Sequence, residues 1–289
     1  MTLDTFLETA WTDHGDRPQE VADRLANAFD LVTAPEHIPP FARLLTHVHG
    51  EHLGQWERGV ELLERLRTSP AFDGSAAAAG ALDRSIATLR YAGGESSVLE
   101  PLSAEDRISV LALAASAFAG RCEFKRALAA YSEALRLANT GLPAKSPAFR
   151  ALAVGGNNLA AALEERRDRD AIETEGMVVA ANGGLKYWKL AGAWLEEERA
   201  EYRLTRSLLQ AGKPAEAMQS AQRCIDVCER NNAPSIETFY GYVVLALAQR
   251  AGGDVNAFED SRRHALSLFE QVPEDERRWC TSEVDELGV

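Results

Sequence analysis

The stretch Leu111 to Ala138, LALAASAFAGRCEFKRALAAYSEALRLA, decides the fold that this sequence predicts. It contains two alanine-rich segments of helical length, which are separated by the short turn GRCE. Small residues recur where two antiparallel helices would touch, and larger apolar residues lie between them. Because small side chains let helices approach closely while larger ones fill the grooves, the stretch predicts a tightly packed helix pair.

The rest of the chain is also predicted to be helical. Alternating runs of β-branched residues are missing, whereas Ala, Leu, Glu and Arg dominate. Prolines and glycines separate segments of helical length. We expect about a dozen helices, near residues 3–12, 17–32, 38–50, 55–68, 75–92, 104–119, 124–139, 147–166, 169–190, 191–211, 215–231, 235–251, 255–271 and 274–286.

The helix pair resembles a tetratricopeptide repeat (TPR), which carries large, small and aromatic residues at set positions. The matching residues of the first helix are Leu111, Ala115 and Phe118. Those of the second helix are Ala127, Tyr131 and Ala134. The quartet Asn157-Asn158-Leu159-Ala160 also resembles the longer repeats of kinesin light chains.

The small residue of the second helix recurs at spacings that fit this repeat family. It falls at Gly59, Ala127, Ala171, Ala217 and Ala257. The first two are 68 residues apart, twice the unit of about 34 residues. A degenerate helix pair is therefore expected near residues 75–105.

The resemblance implies an all-α fold, a right-handed superhelical solenoid of antiparallel helix pairs, as one TPR-like domain over residues 1–289. Residues 1–37 are expected to form N-terminal capping helices, and 38–272 about five to six repeats. Residues 273–289 are expected to form a C-terminal capping helix, because terminal repeats must cover an otherwise exposed core.

Composition limits the classes of function. A formal net charge of −13 argues against a nucleic-acid partner, which needs a basic surface. The apolar runs are too short to span a membrane, and the acidic N-terminus does not resemble a signal peptide. Four scattered cysteines form no disulfide framework, and the pair Cys224 and Cys228 is expected to be core. We expect a cytoplasmic protein without a cofactor.

The segment THVHGEH, residues 46–52, resembles the metal-ligand loop of metallo-β-lactamase-fold hydrolases, with Glu51 in place of their Asp. That family needs the loop after a strand and further ligands downstream, whereas helical segments flank it here. On an α-helix His47 and His49 would face opposite sides, and only His49 and His52 could share a face. We therefore expect neither a metal nor a catalytic residue. A metal-dependent enzyme that uses His47, His49 and His52 is the alternative.

A row of arginines on one helix indicates a binding surface. Arg199, Arg203 and Arg206 are spaced i, i+4 and i+7, where like charges repel. Either a bound partner compensates for this repulsion, or neighbouring acids such as Glu196 and Glu198 neutralise a solvated face. The repeat alignment places the row on the face that lines the concave groove of TPR domains. The groove residues that the resemblance implies are Asn157, Asn158, Arg199, Tyr202, Arg203, Arg206, Tyr242 and Gln249.

The resemblance implies a non-catalytic scaffold or adaptor that binds a peptide or a partner protein in this groove. Arginine, asparagine and tyrosine side chains suit the backbone amides and carboxylates of a peptide. A ligand- or peptide-sensing regulatory protein is a further alternative. The sequence also leaves open a homodimer that forms through the apolar edge of an end helix.

Overall fold

The computed structural model describes residues 1–288, and this range contains helices and no strand. None of its helices combines the length and the apolar character needed to cross a lipid bilayer. The 14 α-helices within the described range are α1 Leu3–Asp13, α2 Pro18–Asn27, α3 Ile38–His47, α4 Trp56–Arg67, α5 Ala76–Ala92, α6 Ala104–Gly120, α7 Phe124–Ala138, α8 Ala148–Glu165, α9 Ala171–Ala191, α10 Trp194–Gln210, α11 Pro214–Arg230, α12 Ser235–Ala251, α13 Val255–Phe269 and α14 Thr281–Glu286.

Each predicted helix corresponds to one of these helices, and the all-α prediction is confirmed. The differences lie at helix ends. The range 17–32 divides into α2 and a 3-10 turn at Phe29–Leu31, and α14 is preceded by a 3-10 turn at Arg277–Cys280. The range 38–50 divides into α3 and a π-helical turn at Val48–His52. The chain forms two compact units, residues 1–155 and 156–289.

In the first unit, α6 and α7 form the helix pair that the opening stretch predicts. The turn between them is short enough to make them antiparallel neighbours, and they pack against each other. Ala115 and Ala127, the small residues of the pattern, are both fully buried. The Tyr131 ring is also buried, and its hydroxyl donates a hydrogen bond to the Leu152 carbonyl at 2.8 Å. The small pattern residues are thus buried, and the aromatic one contacts α8, the next helix along the chain.

Residues 75–105 differ from the expected helix pair. They form the single helix α5, followed by a 3-10 turn at Ser96–Leu99. Gly94 has a φ of +106°, which ends helical propagation, and Pro101 follows before α6 begins. Too few residues remain between α5 and α6 to form a second helix.

In the second unit, α10 pairs with α11 and α12 pairs with α13. α10 also contacts α12, as the first helices of successive TPR units do. Ala217 and Ala221 of α11 are fully buried. A Cβ atom at Gly241 of α12 would lie 3.0 Å from Ile225 Cγ1 of α11. The small residues again mark the places where helices approach each other most closely.

The closest approach of this kind in the first unit involves Gly155 of α8. A Cβ atom there would lie 2.3 Å from the Ala112 carbonyl oxygen of α6. Gly155→Ala is expected to lower the free energy of unfolding by about 1–3 kcal/mol, because the two backbones must separate. Urea denaturation monitored by circular dichroism measures this change.

Gly80→Ala is the matched control, since Gly80 lies inside α5 and a Cβ atom there meets only the movable end of Arg84. This variant should be unchanged or more stable by up to about 1 kcal/mol, as helix propensity predicts. A Gly155→Ala variant as stable as the wild type would contradict the close-packing account.

Candidate functional site

Four predicted groove residues of α10 form one surface, which we name the arginine face: Arg199, Tyr202, Arg203 and Arg206. Acidic groups of the same unit hold two of them. Arg203 Nη1 lies 2.5 Å from Glu164 Oε2 of α8, and Arg199 Nη2 lies 2.6 Å from Glu237 Oε1 of α12. Burial raises the pKa of Glu164, and the charge of Arg203 partly offsets this rise. These two arginines are thus neutralised within the fold.

The C-terminal segment, residues 273–288, lies against the other part of the arginine face. Two guanidinium nitrogens of Arg206 each donate to one carboxylate oxygen of Glu286, both at 2.9 Å. The Tyr202 hydroxyl donates to Glu283 Oε1 at 3.1 Å. An acidic segment of this chain is therefore the group that compensates for the charge of Arg206.

Further contacts fasten this C-terminal segment. The Tyr240 hydroxyl donates to the Trp279 carbonyl at 2.8 Å, and Arg250 Nη1 donates to the Glu286 carbonyl at 3.0 Å. Cys280 and Leu287 are buried in an apolar cluster with residues of α12 and α13. The segment thus covers apolar surface of α12 and α13 and contacts the arginine face as well.

The other predicted groove residues lie in several places. Asn157 and Asn158 lie on α8, and Tyr242 stacks on His264 of α13 with 5.1 Å between ring centroids. The side-chain oxygens of Asn157 and Gln249 are buried and accept no hydrogen bond within the described residues.

Sequence reasoning missed two residues beside the arginine face, Tyr240 and Arg250. Tyr240 lies against Tyr202, with 5.7 Å between ring centroids. Because Tyr240 and Tyr242 are two residues apart on one helix, they point in nearly opposite directions. The repeat alignment selected Tyr242, and an alignment shifted by two residues would have found Tyr240.

The histidine motif contains a π-helical turn. The Leu53 N–H donates to the Val48 carbonyl, five residues earlier, at 3.1 Å. Since such a turn closes over five residues, His47 and His52 lie on the same face, with their Nε2 atoms 3.1 Å apart. The turn brings together two histidines that a regular α-helix would separate.

A third histidine, His14 at the end of α1, joins this pair. Its ring centroid lies 4.9 Å from that of His47 and 5.0 Å from that of His52. One ring nitrogen from each of the three lies within 4.8 Å of the others. We name His14, His47 and His52 the histidine cluster. His49 lies outside it, because its ring is buried and its Nδ1 contacts Gln55 Oε1 at 3.2 Å.

The electrostatics of the histidine cluster favour uncharged imidazoles at two positions. Burial, reinforced by the charge of His47, lowers the pKa of His14 and lowers that of His52 to about 4. Burial raises the pKa of Glu51, but the hydrogen bond and charge of His47 outweigh it, so the net pKa lies below its ordinary value. Glu51 Oε2 lies 3.1 Å from His47 Nδ1.

Comparisons with known proteins bear on the fold. No protein-family model and no curated protein matches this chain. A solved structure does: the crystal structure of nearly identical TPR-like repeats from Podosopora anserina, described as a kinesin light chain, superimposes with a TM-score of 0.50. The match covers 81% of this chain and 93% of the other, at 13% sequence identity. This chain has a TPR-like fold.

The buried thiols of this TPR-like fold are structural. Cys224 and Cys228 lie inside the second unit, where burial raises the pKa of both, that of Cys228 to about 12. The Cys224 thiol donates to Glu198 Oε1 at 3.0 Å. Since the thiolate is the nucleophile and the metal ligand, these protonated thiols are poor candidates for either role.

Glu198 itself is a buried acid in the TPR-like core, and only 1% of it is exposed. Burial raises its pKa to about 8, the hydrogen bond from Cys224 opposes the rise, and the charge of Glu237 adds to it. Native Glu198 thus keeps a proton at pH values where the unfolded chain has lost it. The free energy of unfolding therefore falls as pH rises from about 4.5 to about 8.

Glu198→Gln is expected to flatten this pH dependence and to raise the melting temperature at pH 8, because the amide carries no proton to lose. Thermal unfolding followed by circular dichroism between pH 5 and pH 8 measures both effects. Glu229→Gln, at an exposed position of α11, is the control and should follow the wild type. Equal pH dependence in wild type and Glu198→Gln would disprove the raised pKa.

Proposed function

We propose that the chain is a non-catalytic interaction scaffold whose arginine face binds an acidic segment of a partner protein. The TPR-like fold supports a role in protein interaction. One observation supports the acidic partner: the arginine face already holds an acidic segment, through the paired hydrogen bonds from Arg206 to Glu286.

The chemistry of the face suits carboxylates on a helix. A guanidinium that donates two parallel hydrogen bonds to one carboxylate forms the strongest common type of charged pair, and it fixes the orientation of the acid. Tyr202 adds a hydroxyl donor one helical turn away, at a distance that matches Glu283 and Glu286 on α14. A partner segment with acids three residues apart would reproduce these contacts.

A partner must compete with the C-terminal segment for this surface. Because that segment is part of the same chain, its effective concentration at the face is on the order of millimolar or higher. Partner binding is therefore weak while the segment is docked and becomes stronger when the segment leaves. In this proposal, release of the segment regulates the scaffold. The cytoplasmic location and a homodimer stay predictions of the sequence.

A labelled peptide with the sequence of residues 274–288 tests the proposal by fluorescence anisotropy. The full-length Glu283→Gln/Glu286→Gln variant weakens docking of its own segment, so it should bind the unmodified peptide about tenfold more tightly than the wild type does. Addition of Arg206→Glu to this variant should abolish binding, because Arg206 then repels the acids.

Two controls separate the face from general charge effects. Arg136→Glu makes the same charge change at an exposed position of α7 and should leave binding unaltered. A peptide in which Glu283 and Glu286 are both replaced by Gln should bind the full-length Glu283→Gln/Glu286→Gln variant only weakly. The proposal is wrong if the Glu283→Gln/Glu286→Gln variant fails to bind the unmodified peptide, or if adding Arg206→Glu leaves its binding unchanged.

A further inference from the structure

We propose that His14, His47 and His52 form a binding site for a transition-metal ion of the zinc type. The proposal rests on where three elements place these side chains: the end of α1, the end of α3 and the π-helical turn. It does not depend on the proposed function of the arginine face.

The separations between ring nitrogens are close to those of a metal site. Zinc lies about 2.0–2.1 Å from histidine nitrogens, so two ligands of a tetrahedral ion are about 3.3 Å apart. His47 Nε2 and His52 Nε2 are 3.1 Å apart. All three ligand atoms lie within 4.8 Å of one another, so an approach of about 1.5 Å by the His14 ring completes the set.

The outer ring nitrogens of two of these histidines have the kind of partner that metal-bound histidines have. His14 Nδ1 contacts the Trp11 carbonyl oxygen at 2.5 Å, and His47 Nδ1 contacts Glu51 Oε2 at 3.1 Å. A carbonyl or a carboxylate at Nδ1 keeps the proton there and leaves the lone pair on Nε2, the atom that in His47 faces His52. Such outer contacts orient nearly all metal-bound histidines.

Helix α6 supports this arrangement. The Ser116 hydroxyl donates to Glu51 Oε2 at 2.6 Å, and Arg121 Nη1 donates to the His52 carbonyl at 2.7 Å. A Cβ atom at Gly120 would lie 2.5 Å from the Glu51 carbonyl oxygen, so the π-helical turn rests directly on the helix. Glu51 and His52 are thus positioned by regular structure, which makes a site geometrically precise.

A plain ring cluster explains the same residues less well. The Trp11 ring contacts the rings of His14 and His47, at 5.1 and 5.2 Å between centroids, so stacking contributes to the packing. However, ring packing alone does not require three imidazole nitrogens to lie within 4.8 Å of one another, and a hydrogen bond between His47 and His52 joins only two of them. One cation bound by all three satisfies every inward lone pair.

Three imidazoles determine the class of ion. Imidazole suits zinc, copper, nickel and cobalt, whereas magnesium and calcium prefer oxygen ligands. The three side chains are half-buried, so an ion can enter from solvent and keep a water molecule as the fourth ligand. A bound ion would link the end of α1 to the turn after α3 and would stabilise the first unit.

Isothermal titration of the metal-free full-length chain with zinc chloride tests the site. The wild type should bind one Zn²⁺ per chain and melt at a higher temperature with zinc, while magnesium should have neither effect. His14→Ala and His52→Ala should each weaken zinc binding at least tenfold. Cobalt(II) bound to the wild type should absorb in the visible range as a four-coordinate ion, and the His14→Ala variant should lose this absorption.

His264→Ala is the matched control, since this exposed histidine lies on α13, and it should bind zinc as the wild type does. Far-UV circular dichroism confirms that each variant is folded. Glu51→Gln provides a second measurement, because loss of the carboxylate at His47 should weaken zinc binding about tenfold without removing it. Failure of the wild type to bind zinc, or equal affinity in His14→Ala, would overturn the proposal.

Discussion

Close contact between helices at small residues is the constraint on which this molecule depends. A helix pair can bury an apolar face only if its axes approach, and that approach requires alanine or glycine at the crossing point. Ala115, Ala127 and Ala217 are fully buried, and at Gly155 the Ala112 carbonyl leaves no room for even a methyl group. The pattern of small residues therefore determines which helices become neighbours.

The sequence carries the information for that packing locally, so the fold was predictable. Each helix pair lies within about 35 residues of chain, and its spacing of small and aromatic residues is visible without knowledge of the rest. The degenerate pair expected near residues 75–105 shows the limit of this reasoning. The 68 residues between Gly59 and Ala127 leave room for one further repeat unit, but the spacing does not show whether that stretch forms two helices or one. Here α5 ended before Gly94, and only a 3-10 turn formed between it and α6.

The candidate sites were only half predictable, because their contacts connect distant parts of the chain. The arginines of α10 could be found from their spacing, but Glu286 lies 80 residues beyond Arg206, and no local pattern connects the two. Likewise, His47 and His52 belong to a visible motif, whereas His14 comes from another helix. The π-helical turn was also hidden, since periodicity arguments assume that every helix is an α-helix.

Gly120 closes α6 and supports the Glu51 backbone at the same time. A side chain at this position would displace the Glu51 backbone, and with it the π-helical turn that places His52 next to His47. The packing of α6 and the placement of the histidine cluster therefore both depend on the absence of a side chain at position 120. In a related chain, a larger residue at position 120 would therefore disturb the histidine cluster even where all three histidines are present.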